Sequence, residues 1–200
     1  MIAASHLWWN LTRATANVAW ALLLLTMVWG VLLSTRALKS FDRPAWLRDL
    51  HTWLGGLALS FTVLHMATLI LDSYVDFTLA DVLVPMSSSW KPVPVTLGIV
   101  GFYILVAVQG TSLVMNRMRR ETWRRIHMLS YVLFGLVIVH ALTAGSDVGK
   151  PVFTYFSVVV AMAGTMTASI RWILGRYAQR RAAARAASDR TPSDRASVDR

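Results

Sequence analysis

The sequence predicts an all-α integral membrane protein, a bundle of about five transmembrane helices with a sixth possible. Its 200 residues are 56% hydrophobic with a mean hydropathy of +0.51, which is too apolar for a soluble domain of this size. Five apolar runs are each long enough to cross a hydrocarbon core of ~30 Å. All but three of the 20 Lys and Arg residues fall in segments assigned to one side of these runs. The net charge of +10 is therefore a topology signal, and it predicts a lipid bilayer rather than nucleic acid as partner.

The first predicted span covers residues 14–33, after an N-terminal stretch that contains Arg13. No basic region before a short apolar core and no small-residue cleavage site marks a secretory signal, so we expect an uncleaved helix. The loop 34–49 that follows carries four basic residues, which predicts that it is cytoplasmic. The N-terminus is then expected outside.

The remaining spans alternate in direction. The second, about 46–71, leads outward to a loop, 72–94, with three aspartates. The third, about 95–115, returns to an arginine-rich segment, 117–125, which is a strong cytoplasmic signal. The fourth, 122–142, runs outward, and the fifth, about 152–174, comes back to a cytoplasmic C-terminus. The chain thus divides into a membrane domain, 1–175, and an Arg- and Ala-rich tail, 176–200, expected to be a frayed helical extension followed by disorder.

Four histidines lie in two of these spans, although imidazoles at membrane depth are costly unless they face partners inside the bundle. His51 and His65 are 14 residues apart and His127 and His140 are 13 apart, which gives about 21 Å and 19.5 Å of helical rise. Because both helices run outward, the heights predict that His51 pairs with His127 and His65 with His140. Haem iron accepts imidazoles on its two opposite faces, so two helices of this kind can clamp two stacked haems.

Two features of these helices leave alternatives open. Thirteen residues of ideal helix place His127 and His140 about 140° apart, so we expect either a deformation near Gly135 or a frayed start at His127. Gly55 and Gly56 on the second span allow either a flat macrocycle or a neighbouring helix to approach the backbone closely.

A transporter or channel for metal ions or protons is the alternative function. Zinc sites bring three or four ligands together, however, and here the pairs lie ~20 Å apart along the helices. Asp49 lies at the start of the second span and no other carboxylate lies inside a predicted span, which weakens a proton relay. The absence of cysteine excludes cysteine-ligated Fe–S clusters and covalently attached haem on this chain.

The histidine spacings and the run WRRIHMLSYVLFGLVIVH resemble the ferric reductase-like transmembrane domain family. That family includes the membrane parts of ferric reductases and NADPH oxidases and the haem-binding membrane subunit of the methionine sulfoxide reductase system. The resemblance covers about residues 7–174 and extends to LTRATANVAW and ALTAGSD. It implies two b-type haems held by His51 with His127 and by His65 with His140, and electron transfer across the plasma membrane.

The resemblance also bears on the electron donor. Many relatives continue into a cytoplasmic FAD and NAD(P)H domain, whereas this sequence shows no glycine-rich phosphate-binding turn and only about 25 residues after the fifth span. We therefore expect no FAD or NAD site in this chain, a separate donor that is either a flavoprotein or a quinol, and an acceptor on the outer side. Arg13, where the first span meets the outer surface, is predicted to bind a propionate of the outer haem.

Overall fold

The computed structural model describes residues 2–35, 44–73 and 75–188, which form six α-helices and no β-strand. Five of the helices are long and apolar enough to cross a membrane, which confirms the predicted multi-pass helical bundle. The loop residues 36–43 and the end of the tail, 189–200, lie outside the described residues. The helices are α1 (Ile2–Thr35), α2 (Pro44–Leu71), α3 (Leu79–Leu83), α4 (Pro92–Leu113), α5 (Arg120–Ala144) and α6 (Pro151–Ser188).

Four of the five long helices extend beyond the predicted spans, because hydropathy marks the part of a helix that lies in lipid rather than the whole helix. The remaining one, α4, begins and ends two or three residues earlier than predicted. Three of the long helices begin at a proline, Pro44, Pro92 and Pro151, whose fixed φ and missing N–H suit the first helical position. α1 already begins at Ile2, and α6 continues to Ser188. The 38 residues of α6 rise about 57 Å, nearly twice the thickness of the hydrocarbon core.

The long helices pack as two antiparallel hairpins, α1 with α2 and α4 with α5, and α6 lies chiefly against α1. At one end of the first hairpin the Trp29 Nε1–H donates a hydrogen bond of 2.8 Å to the Leu47 carbonyl. Following the predicted topology, we call this end of the bundle the inner end and the opposite end the outer end. Large apolar side chains such as Trp53, 72% exposed, and Val152, 83% exposed, face outward, as lipid contact requires.

The connection between α2 and α4 is folded rather than a simple loop, and it covers the outer end of the bundle. Its helix α3 starts at a capping box in which the Thr78 N–H donates to the Asp81 carboxylate and the Asp81 N–H donates to the Thr78 hydroxyl. The side-chain hydrogen bond from Thr78 lowers the pKa of the exposed Asp81. Phe77 and Val82 are buried against α4, so the segment forms a small apolar cap of its own.

Candidate functional site

The two predicted histidine pairs lie at opposite ends of the bundle. At the inner end the rings of His51 on α2 and His127 on α5 are 6.0 Å apart between centroids, at an interplanar angle of 61°. At the outer end His65 on α2 and His140 on α5 line one cavity of about 210 Å³. The structure therefore brings together the same residues that their heights along the helices predict.

In the outer pair both imidazoles are anchored through Nδ1. His65 Nδ1 lies 3.0 Å from the Thr12 carbonyl of α1, and His140 Nδ1 lies 2.8 Å from the Pro94 carbonyl of α4. A backbone carbonyl only accepts hydrogen bonds, so each Nδ1 carries the proton and each Nε2 keeps a free lone pair. This arrangement fixes the tautomer and the ring orientation that a metal-ligating histidine needs.

The outer cavity is mostly apolar and draws on several helices. Its walls include Leu23 of α1, Phe102 of α4 and Val137 of α5, together with Phe77 and Trp90 of the α2–α4 connection. Its polar lining residues include several on α1 and in the turn between α5 and α6. A flat, largely apolar cofactor with a polar edge matches this distribution.

Two glycines make room for the imidazoles. A Cβ on Gly98 of α4 would lie 2.7 Å from His140 Cε1, and a Cβ on Gly30 of α1 would lie 3.0 Å from His51 Cε1. Each glycine thus allows a neighbouring helix to approach one histidine ring. By contrast, a Cβ on Gly55 would meet the side chain of Gln109 at 2.5 Å, so Gly55 serves close helix packing in this structure.

The inner pair is held differently. His127 stacks on Trp123, one helical turn away, with 5.0 Å between ring centroids, and its Nδ1 is 3.4 Å from the Ser112 hydroxyl. His51 Nδ1 is buried without a hydrogen-bond partner. The separation of 6.0 Å between the ring centres leaves room for one metal ion that both imidazoles could bind through bonds of ~2.0 Å.

The angular offset predicted between His127 and His140 does not interrupt α5. α5 is a continuous α-helix from Arg120 to Ala144, so His127 lies two turns inside it rather than at a frayed start, and the helix is not interrupted at Gly135. The two imidazoles leave α5 on different flanks. His127 faces α2 and the end of α4, whereas His140 faces the start of α4.

Neither pair is joined by further ligands within the described part of the chain. No group of three or more His, Cys, Asp or Glu side chains there is close enough to hold a metal ion. The sites therefore offer two imidazoles each, which suits the two axial positions of a haem better than a tetrahedral zinc ion.

The comparisons with known proteins bear on this same region. The profile of a family described as domain of unknown function DUF8596 matches residues 7–147, which include all four histidines and Arg13. The chain belongs to the DUF8596 family. It is also similar to the haem-binding subunit MsrQ of protein-methionine-sulfoxide reductase from Caulobacter vibrioides, with 28% identity over 150 residues.

That match covers 72% of this chain and 65% of the Caulobacter protein, so the DUF8596 protein spans less than two thirds of its relative's length. No solved structure matches the chain. The wider resemblance to ferric reductase-like membrane domains stays a prediction.

The predicted site residue Arg13 of the DUF8596 protein lines the outer cavity with a partly exposed side chain. Its Nε–H donates a hydrogen bond of 2.5 Å to Asp147 Oδ2, and Lys150 Nζ donates one of 2.6 Å to Asp147 Oδ1. Burial, the largest single influence on the pKa of Asp147, raises it, but the combined hydrogen bonds and charges of Lys150 and Arg13 outweigh burial and hold that pKa below its usual value. Asp147 links α1 to the turn between α5 and α6.

Sequence reasoning missed two residues of the site. Asp147 enters the sequence argument only as the last residue of the run ALTAGSD, and nothing local indicates that its partner lies 134 residues away. Gln109 is a buried amide on α4 whose Nε2–H donates 3.3 Å to the Thr52 carbonyl, beside the inner histidine His51. The signal for Gln109 was available, because an amide inside a membrane span is rarely without a partner.

Proposed function

We propose that the DUF8596 protein is a di-haem b transmembrane electron-transfer protein, the membrane component of an oxidoreductase. One observation carries the proposal: His65 and His140 both give Nδ1–H to a backbone carbonyl and keep Nε2 free in one apolar cavity. The haem-binding description of the Caulobacter relative supports it.

Each haem would be held by one histidine from α2 and one from α5, His51 with His127 at the inner end and His65 with His140 at the outer end. Bound haem supplies reversible one-electron oxidation and reduction of its iron. The protein contributes orientation through the Thr12 and Pro94 carbonyls and exclusion of water through the apolar walls of the cavity. With ~20 Å of rise between the pairs, the two sites form a two-step path across the hydrocarbon core.

Arg13 is proposed as a cofactor-binding residue of the outer site. Arg13 lines the cavity with a partly exposed side chain and could supply the cation that a haem propionate would need, since Arg binds carboxylates through parallel hydrogen bonds. A positive charge at this position favours the reduced haem, because it stabilises the added electron.

We further propose that electrons come from a separate donor, a flavoprotein or a quinol, and leave to an acceptor on the outer side of the plasma membrane. The topology is proposed with the N-terminus outside and the C-terminus cytoplasmic, as the basic segments predict. The exposed arginines before and at the start of α5 would then lie beside the inner site and could steer an acidic flavoprotein: Arg117, Arg119, Arg120, Arg124 and Arg125. NADH or NADPH alone should not reduce the haems in stopped-flow measurements, whereas a flavin reductase or a quinol should.

Haem content tests the central claim. The purified protein should show the spectrum of low-spin bis-histidine haem, with two haems per chain by pyridine haemochrome assay. His65→Ala and His51→Ala should each lose one haem, and the control Leu64→Ala, at a 48% exposed neighbour of His65, should keep both. A folded, colourless protein that does not take up haemin would refute the proposal and favour a transporter for metal ions or protons.

A further inference from the structure

Thr12 carries a hydroxyl without a hydrogen-bond partner at the outer site. The residue is 4% exposed, lines the outer cavity, and uses its carbonyl for His65, but its Oγ1 is buried and unpaired. Helical threonines usually return their hydroxyl to the preceding turn, as Thr15 does with the Leu11 carbonyl at 2.7 Å. Because an unpaired buried polar group is unfavourable, the Thr12 hydroxyl indicates a missing partner.

Arg13 follows Thr12 in the sequence and lines the same cavity. Its guanidinium has five N–H donors, of which Nε–H goes to Asp147 and one Nη1–H makes a long 3.5 Å contact with Asn10. Since Asp147 also binds Lys150, two cations surround one carboxylate and the cluster keeps a net positive charge. The cluster can therefore accept one more anion.

We propose that the Thr12 hydroxyl and the terminal Nη groups of Arg13 form a carboxylate subsite whose occupant is a propionate of the outer haem, and that Asp147 is a positioning residue that holds Arg13 by its Nε edge. The inference rests on the proposed haem function and adds Thr12 and Asp147 to it. A carboxylate taken from water at this depth needs both a cation and neutral donors, and Arg13 and Thr12 provide one of each.

The test compares haemin with haemin dimethyl ester, in which both propionates are blocked. The full-length apo-protein is titrated with each porphyrin in a His51→Ala background, so that only the outer site binds. Thr12→Val and Arg13→Gln should each weaken haemin binding by about tenfold, the loss expected for one hydrogen bond to a charged group. Neither variant should change binding of the ester.

Thr26→Val is the matched control, because it removes a hydroxyl of the same helix that already donates to the Leu22 carbonyl at 2.7 Å. Its haemin affinity should equal that of the parent. Asp147→Asn should reduce the preference for haemin over the ester, and Asp147→Glu should restore part of it. Tighter haemin binding in Asp147→Asn would show that Asp147 competes with the occupant, which would overturn its positioning role.

Equal losses for both porphyrins would reduce Thr12 and Arg13 to packing residues and overturn the subsite. Equal affinity of the parent for haemin and its ester would overturn the propionate as occupant. If neither porphyrin bound the parent, the haem function itself would fail and the subsite with it. That result differs from equal binding of haemin and its ester, which would overturn the subsite alone.

Discussion

Replacing Gly98 by alanine should disable the outer site while leaving the inner one intact. A Cβ at this position would lie 2.7 Å from His140 Cε1 and 2.8 Å from His140 Nδ1, whereas ordinary van der Waals contact begins at 3.4 Å. The imidazole must therefore move by about 0.7 Å, which exceeds the ~0.2 Å that a metal–ligand bond tolerates.

A movement directly away from α4 stretches the 2.8 Å hydrogen bond from His140 Nδ1 to the Pro94 carbonyl to about 3.5 Å, where most of its energy is lost. Overpacking costs about 1–3 kcal/mol, and the lost hydrogen bond about 1 kcal/mol. Against this, alanine gains up to ~1 kcal/mol of helix propensity over glycine. The balance predicts a net cost of about 1–3 kcal/mol and a 10–100-fold lower haem affinity at the outer site, the usual effect of disturbing the residues that orient a ligand.

Gly110→Ala is the matched control, since Gly110 lies on the same helix and a Cβ there meets nothing within 4 Å. Pyridine haemochrome assays of the purified variants should give about one haem per chain for Gly98→Ala and two for Gly110→Ala. Two haems of unchanged affinity in Gly98→Ala would refute the packing argument and with it the place of His140 in the site.

Three further changes test the surroundings of the sites. Arg13→Gln should lower the midpoint potential of the outer haem by on the order of 50 mV, which is a tenfold change in the one-electron equilibrium. The control Arg176→Gln, on the α6 extension, should leave that potential unchanged. An unchanged potential in Arg13→Gln would contradict the proposed role of Arg13. Because the folded-state pKa of Asp147 is below its usual 3.8, its carboxylate stabilises the fold above that pH and loses this contribution as the pH falls through the folded-state pKa. Asp147→Asn should thus lower Tm by about 2–4 °C at pH 7, with a smaller difference near pH 3; a pH-independent difference would argue against the ion pairs. Gly55→Ala should destabilise the protein by about 1–3 kcal/mol, because the new Cβ would lie 2.5 Å from Gln109 Oε1. Adding Gln109→Ala should recover part of that stability, and purely additive losses would show that the two residues are not coupled.

The membrane helices and the histidine pairs could be predicted from the sequence because each depends on the composition of one segment or on the number of residues between two positions. Hydropathy identifies a span, and the helical rise sets the height of a side chain within it. The same reasoning missed α3, although Thr78 and Asp81 carry the spacing of a capping box, because the segment between the spans was judged by its charge alone.

The contacts that orient the site could not be predicted in this way. The carbonyls of Thr12 and Pro94 have no side-chain signature, and their distances from His65 and His140 depend on how four helices pack. The ion pair of Arg13 with Asp147 likewise joins two ends of the membrane domain that only the folded structure brings together.

The arrangement in two hairpins has a consequence for biogenesis. α1 and α2 pack chiefly against each other, as do α4 and α5, and each histidine pair takes one ring from α2 and one from α5. Each hairpin can therefore be inserted and can form its own backbone hydrogen bonds before any cofactor arrives. If a haem is held by both rings of a pair, as proposed, its binding would join the two hairpins and would be a late assembly step.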